Sequence, residues 1–112
     1  MSTDAFADRE RGFEAKFKLD QEQEFRAQAR RNKLFGLWIA ETLGKAGTDA
    51  DAYAKTVVAA DLKKPGHDDV IEKVRADLEA AGKAIPDERL RAEYERFLAL
   101  ARKQIAEEAP KD

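Results

Sequence analysis

The chain has 112 residues, of which 39% are charged, and its formal net charge is −2. This length fits one domain with one modest core and excludes a cofactor domain beside a separate substrate domain. The near balance of 21 basic and 23 acidic residues excludes the net positive field that nucleic-acid-binding and polybasic membrane-binding proteins carry. Because charged residues usually make up about a quarter of a globular chain, the surplus predicts a large mixed-charge surface.

No cysteine is present, which excludes disulfides, thiolate nucleophiles and cysteine-ligated metal centres. The N-terminal sequence is charged from Asp4 onward and lacks the apolar segment of a secretory signal. The longest apolar run, residues 34–40, is interrupted by Gly36 and is much shorter than the ~20 residues that span a membrane. We therefore expect a cytoplasmic protein that makes no direct membrane insertion.

Helical periodicity dominates the chain, and no stretch alternates apolar and polar residues as a half-buried strand does. Breaks that contain glycine or proline separate four segments of helical length. We predict an all-α fold, a four-helix bundle with a mobile or partly helical N-terminal arm. The predicted ranges are 1–20 for the arm, 21–44, 48–63, 68–82 and 87–108 for the four helices, and 109–112 for a tail.

The arm region combines dense mixed charge with a line of phenylalanines. Residues 1–33 contain eight basic and seven acidic side chains. Phe6, Phe13 and Phe17 align on one side of a helical wheel, whereas Phe25 lies roughly 100° away from that stripe. The two sets cannot both face one core from one straight helix.

Two interpretations of the phenylalanine stripe stay open. Residues 1–20 can fold back and pack the three rings onto the bundle, which is the ordinary fate of a spaced aromatic stripe. Alternatively, they form a charged amphipathic arm that becomes ordered when the stripe enters a groove of a partner protein. The angular offset of Phe25 favours the arm.

The first bundle helix is apolar nearly all round between residues 34 and 43. Such a helix is either the central element of a small bundle or contacts both a core and a partner. Gly36 beside Trp38 predicts a close approach to another helix. One predicted face comprises Phe25, Ala29, Gly36, Ile39, Ala40 and Leu43, and the opposite side comprises Leu34, Leu37 and Trp38.

Each of the remaining helices shows an apolar face at spacings of three and four residues. Thr48 is the predicted N-cap of the second helix, and Gly82 is the predicted residue after the end of the third. The faces are Tyr53, Val57, Val58 and Leu62 in the second helix, Val70, Ile71, Val74, Leu78 and Ala81 in the third, and Leu90, Tyr94, Phe97, Leu98, Ala101 and Ile105 in the fourth.

Candidate sites for chemistry are few. His67, Asp68 and Asp69 can be read as a metal or acid–base cluster, but carboxylates in the first turn of a helix are more simply explained by the helix dipole. The chain lacks the GxxxxGK[ST] loop of ordinary nucleotide hydrolases. Paired carboxylates without a second cluster carry no specific acid–base signal. We therefore assign no catalytic residue, no metal site and no enzymatic activity.

A basic patch lies near the start of the first bundle helix. It is able to bind phosphates, a nucleic acid or an acidic protein surface, and an ordinary solvated helix face explains it equally well. The overall charge balance argues against nucleic acid as the partner. The patch comprises Arg26, Arg30, Arg31, Asn32 and Lys33.

An ordered series of short motifs resembles the zeta subunit of alphaproteobacterial F-type ATP synthases. Residues 6–17, FADRERGFEAKF, fit a pattern F-x-D-R-E-x-x-F-E-x-K-F, and residues 29–38, ARRNKLFGLW, are similar to the ARRNKLLGLW block of that family. Phe35 stands where that block more commonly has leucine. The similarity continues through Tyr53-Ala54-Lys55, the Pro65-Gly66 turn and Asp68-Asp69-Val70, and it covers nearly the whole chain.

The resemblance implies a four-helix domain whose N-terminal arm, about residues 3–19, enters a catalytic interface of the ATPase head. The head comprises the alpha, beta and gamma subunits, and the inserted arm blocks ATP hydrolysis. Carried over by position, the apolar anchors are Phe6, Phe13 and Phe17, and the charged contacts are Asp8, Arg9, Glu10, Glu14 and Lys16. Gly12 within the arm lowers its helix stability by about 1 kcal/mol.

The resemblance also implies that the bundle binds adenine nucleotides. The candidate residues for weak ADP or ATP binding are Arg30, Arg31, Lys33 and Trp38, although no cofactor is required for inhibition. We expect a protein that is monomeric when free and peripheral on the membrane-bound ATP synthase. The alternatives are a small nucleotide-binding helical sensor and a non-inhibitory scaffold protein.

Overall fold

A computed structural model describes residues 19–63 and 67–108 of the chain. Within these ranges the backbone forms four helices and no strand: α1 (Gln21–Thr42), α2 (Gly47–Lys63), α3 (His67–Ala80) and α4 (Asp87–Glu108). The predicted all-α four-helix architecture is confirmed. Residues 1–18 of the predicted arm and the tail, 109–112, lie outside the described residues.

Helix α1 is the central element, because it packs against both α2 and α4, while α3 closes the bundle against those two helices. Phe35 and Ile39 of α1 are fully buried and contact the apolar faces of the other helices. The rings of Phe35 and Tyr94 meet edge to face, with their centroids 5.0 Å apart. In the described part of the chain, no helix is long and apolar enough to cross a membrane.

The predicted apolar face of α1 is wrong at Phe25, whose side chain is 64% exposed. The buried side of α1 is broader than the prediction and includes Ala27, Arg31 and Phe35. The buried side is broad because α1 packs against two helices, α2 and α4. The helical-wheel prediction of one apolar face assumes a single neighbouring helix. Phe25 borders the last turn of α2 around Leu62 but is not buried by it. Phe25 therefore lies outside the core. Its angular offset from the stripe of Phe6, Phe13 and Phe17 no longer favours a partner-binding arm over a segment that folds back onto the bundle.

The faces predicted for the other helices agree with the structure except near helix ends. All six predicted residues of α4 are buried, as are the first four of the α3 face, whereas Ala81 is exposed because α3 ends at Ala80. On α2, Tyr53 and Val57 are buried, Val58 is half-buried, and Leu62 is 65% exposed.

Backbone hydrogen bonds explain where the helices begin and end. The Asp20 side chain accepts from the Gln23 N–H at 2.7 Å, and the Gln23 side chain accepts from the Asp20 N–H at 3.0 Å, which is a capping box. Helix α1 ends two residues before the predicted position, since Gly44 with φ of 80° reverses the chain. Helix α2 begins at Gly47, so Thr48 lies inside the first turn and is not the N-cap as predicted.

The turn after α3 matches its prediction. Gly82 has φ of 70°, and the Lys83 N–H donates to the Leu78 carbonyl at 2.9 Å while the Gly82 N–H donates to the Glu79 carbonyl at 3.0 Å. This pair of bonds is a Schellman motif, which satisfies the last carbonyls of the helix.

The backbones of α1 and α2 approach closely at Gly36, as the sequence predicts. A β-carbon at this position would lie 2.8 Å from the Ala54 Cα and 3.2 Å from Val57 Cγ2. A Cα atom cannot move without the whole helix, so only glycine permits this spacing.

Two ion pairs join the first half of α1 to the last half of α4, and we call them the α1–α4 clamp. Glu24 accepts from Arg102 Nε at 2.9 Å, and Arg30 donates to both carboxylate oxygens of Glu108. These bonds, with charge attraction, lower the pKa of Glu24 and of Glu108 below the usual glutamate range. Glu24–Arg102 is partly exposed and contributes about 0.2–1 kcal/mol.

We expect Gly36→Ala to lower the free energy of unfolding by about 1–2 kcal/mol, because the clash with Ala54 outweighs the higher helix propensity of alanine. Chemical denaturation monitored by circular dichroism at 222 nm measures this change. A variant that is as stable as the wild type, or more stable, would contradict the close approach of α1 and α2.

The α1–α4 clamp predicts acid sensitivity. A carboxyl whose pKa is lowered in the folded state stabilises the fold above its unfolded pKa, and this stabilisation is lost as pH falls through the folded pKa. Between about pH 5 and pH 3, we expect the free energy of unfolding to fall less in a Glu24→Gln/Glu108→Gln double variant than in the wild type. The control is Glu41→Gln/Glu79→Gln, which changes two exposed glutamates. Equal slopes in all three proteins would show that the clamp does not contribute.

Candidate functional site

The eight arm residues predicted to bind a partner lie outside the described residues. They are Phe6, Asp8, Arg9, Glu10, Phe13, Glu14, Lys16 and Phe17. What the structure describes is the junction between arm and bundle. Leu19 is half-buried against Ala27, Ala101 and Ile105, on the side of α1 that faces α4. Asp20 then caps α1, so the bundle begins with its own helix start.

The basic patch of the sequence is divided by the fold into buried and exposed parts. Arg30 is engaged by Glu108 and also donates to Gln104 Oε1 at 3.2 Å. Arg31 and Asn32 are each only 1% exposed. Lys33 and Arg26 are exposed. The patch is therefore not one solvated face.

The four nucleotide candidates have different surroundings. The Arg31 guanidinium lies 4.1 Å from the centre of the Tyr94 ring, and Arg30 is held by Glu108. Trp38 is half-buried, with its ring 6.3 Å from that of Phe97, whereas Lys33 is exposed. Both arginines thus have protein partners in this structure, and weak ADP or ATP binding at these residues stays a prediction.

A buried polar cluster connects three helices, and we call its members, Arg31, Asn32, Asp61 and Tyr94, the Asn32 network. Tyr94 Oη donates to Asn32 Oδ1 at 2.7 Å, and Asn32 Nδ2 donates to Asp61 Oδ2 at 3.0 Å. Arg31 Nε donates to the same Asn32 oxygen at 3.3 Å. Burial raises the pKa of Tyr94 to about 12, and its protonated hydroxyl is the donor in the bond to Asn32.

Residue type alone assigns Arg31 and Asn32 to a solvent-facing patch, so the sequence does not predict this network. A signal was present: Arg31 lies four residues before Phe35 and Asn32 four before Gly36, so both extend the buried side of α1 by one turn. Asp61, on a different helix, has no such signal in a single sequence.

A second polar cluster joins α2 to α3. Tyr53 Oη donates to Asp77 Oδ2 at 2.7 Å, and Lys73 Nζ donates to the same oxygen at 2.9 Å. Burial and this hydrogen bond raise the pKa of Tyr53 far above its ordinary value. The Tyr53 hydroxyl and the Lys73 ammonium group both donate to Asp77 within the bundle. The cluster is therefore structural.

Asp68, in the first turn of α3, forms an exposed ion pair with α4. The Asp68 carboxylate accepts from Arg91 Nη1 of α4 at 3.0 Å. Among the residues that the structure describes, no group of three or more histidine, cysteine or acidic side chains is arranged to hold a metal ion.

An exposed apolar depression lies between α1 and the last turns of α2, and we call it the Phe25 groove. Its apolar lining is Phe25, Ala29, Val58 and Leu62, and its polar lining is Gln28, Asn32 and Asp61. Phe25 and Leu62 are the two most exposed large apolar side chains in the described part of the chain. The groove lies beside the end of α1 at which the arm joins.

Comparisons with known proteins relate this helical architecture to a family. A family model described as ATPase inhibitor subunit zeta matches residues 1–104. A protein whose structure was solved by solution NMR is 49% identical, with a TM-score of 0.67, over 77% of this chain and 98% of its own. A comparison with curated proteins gave no match. The family model spans nearly the whole chain, including the arm, and its description is that of a regulatory subunit and not of an enzyme. The chain therefore belongs to the ATPase inhibitor subunit zeta family.

Proposed function

We propose that this protein inhibits ATP hydrolysis by an F-type ATP synthase by inserting its N-terminal arm into a catalytic interface of the ATPase head. The partners are the alpha, beta and gamma subunits, and the protein is peripheral on the membrane-bound complex. Membership of the zeta family supports the inhibitory role. The insertion of the arm is what the resemblance of residues 6–17 to that family implies, and it is the part of the proposal that the experiments below test.

The observation that carries the proposal is the separate start of the bundle. Helix α1 is capped at Asp20, and Phe35, Ile39 and Leu90 pack in one core of described residues. Because α1 has its own N-cap, the bundle does not depend on a helix that continues from the arm, which supports the proposal.

The composition of the arm suits binding to a protein surface. Phe6, Phe13 and Phe17 each contribute about 1.5–3 kcal/mol if fully buried in a groove, and the entropy of ordering the arm removes part of this gain. The charged residues between them keep the free segment hydrated. They also make the association selective, because opposite charges must match across the interface.

Inhibition of this kind requires no chemistry by the inhibitor. An arm that binds one rotational state of the head more tightly than the others stabilises that state by the difference in affinity. Turnover then stops, because the next state is reached only after the arm dissociates. The absence of an assigned catalytic residue is consistent with this mechanism.

We expect deletion of residues 1–18 to abolish inhibition of the cognate ATPase and to leave the bundle folded. The deletion retains Leu19 and Asp20 because Leu19 packs on the bundle and Asp20 caps α1. Steady-state ATP hydrolysis measures the inhibition, and circular dichroism checks the fold. A truncated protein that inhibits as well as the full chain would remove the arm from the mechanism.

Within the arm, Phe13→Ala should raise the concentration for half-maximal inhibition at least tenfold, because a buried phenylalanine side chain is lost. Leu100→Ala is the matched control, since Leu100 is a partly exposed apolar residue on α4, outside the arm. Equal inhibition by the two variants would show that Phe13 is not an apolar anchor of the inhibitory contact.

A further inference from the structure

The Phe25 groove is an apolar surface that none of the described residues covers. Phe25 and Leu62 are 64% and 65% exposed, although each is large enough to fill a core position. Two such side chains beside one depression, with Ala29 and Val58 between them, form a local apolar patch on a highly charged protein. Exposed patches of this kind mark interaction sites more often than scattered single residues do.

The groove is preformed by the Asn32 network. Asn32 and Asp61 are part of its lining, and the hydrogen bond of 3.0 Å between them ties α1 to α2 at that point. Asn32 is in turn held by Tyr94 of α4 at 2.7 Å. The walls of the groove therefore need little reorganisation when a partner binds, which reduces the entropic cost of association.

The position of Leu19 argues against the chain's own arm as the occupant. Leu19 packs beside Ala27 and Ala101, so the chain enters α1 from the side that faces α4. Phe25 and Ala29 face α2, and Phe25 lies roughly 200° from Ala27 around the helix. To reach the groove, the arm would have to cross the N-terminus of α1 and return along its other side.

The size of the groove argues against a second copy of the chain. A stable protein interface buries about 800 Å² on each partner, far more than two exposed apolar side chains provide. The groove therefore suits an auxiliary contact beside a stronger one. The arm is placed to supply that stronger contact. Along the axis of α1, Phe25 lies within about 10 Å of the residue at which the arm joins.

We propose that the Phe25 groove is a second docking surface for the ATPase head and that it takes an apolar side chain from the rim of the cleft that holds the arm. The charges around the groove are mixed, with exposed Glu22, Arg26 and Lys33 on α1 and Asp61 in the lining, which favours a partner surface that carries both signs of charge. This inference rests on the proposed function. Two linked contacts reinforce each other, since binding of the arm raises the local concentration of the groove at its own target.

The test measures inhibition by the full chain with Phe25→Ser, Leu62→Ser and the two combined. Leu100→Ser is the matched control, because Leu100 is a partly exposed leucine on α4, away from the groove. We expect the double variant to raise the concentration for half-maximal inhibition about tenfold and the control to leave it unchanged. The Phe25 and Leu62 variants should keep the wild-type melting temperature, since both side chains are mostly exposed.

The outcomes separate this inference from the proposed function. If the wild-type chain does not inhibit the ATPase, the proposed function fails, and the docking surface with it. If the wild type inhibits and the groove variants match Leu100→Ser, the docking surface alone is wrong.

Two measurements on the free protein test the other occupants. Amide shifts of residues 1–18 that change on Phe25→Ser would assign the groove to the arm. Self-association in sedimentation velocity that Phe25→Ser removes would assign it to a second copy. Either result would overturn the inference, and we expect neither.

Discussion

The amide of Asn32 is the contact on which the arrangement of the bundle depends. One side chain bonds Tyr94 of α4 and Asp61 of α2, while Arg31 beside it lies over the Tyr94 ring. Because a buried polar group without a partner costs about 1–3 kcal/mol, sliding either helix along α1 would be unfavourable. Apolar side chains alone tolerate such sliding far better. The network therefore sets the register of three helices around one central helix.

Much of the fold follows from periodicity, and the failures have one physical cause. Residue spacing predicts the apolar faces of α3 and α4 because each of these helices has one buried side. Helix α1 has two, so its buried arc includes Arg31, which resembles a surface residue in sequence, and omits Phe25, which resembles a core residue. Apolar character predicts what a side chain prefers, but only the positions of neighbouring helices decide what is covered. The contact between Asn32 and Asp61 depends on the fold and has no local signature.

The high charge content now has several distinct roles. Some charges belong to pairs between elements, such as Glu24 with Arg102, and Arg91 with Asp68. Others lie in the N-terminal segment, where they separate the phenylalanines. Arg31 is buried and serves the core. The charges therefore have three different roles although their sum is near zero. Some hold helices together, some keep an apolar stripe hydrated, and one is part of a polar interior.

The capping box at Asp20 has a mechanical consequence. Asp20 is extended, with ψ of 176°, so the helical rod of α1 stops there and does not run on into the preceding residues. A pull or twist on the N-terminal segment by a rotating partner would act on one extended residue and not on a continuous lever. The load would reach the bundle through the two hydrogen bonds of the capping box and the packing of Leu19 on Ala27 and Ala101. These junction contacts, and not the middle of α1, would be the first to break under force.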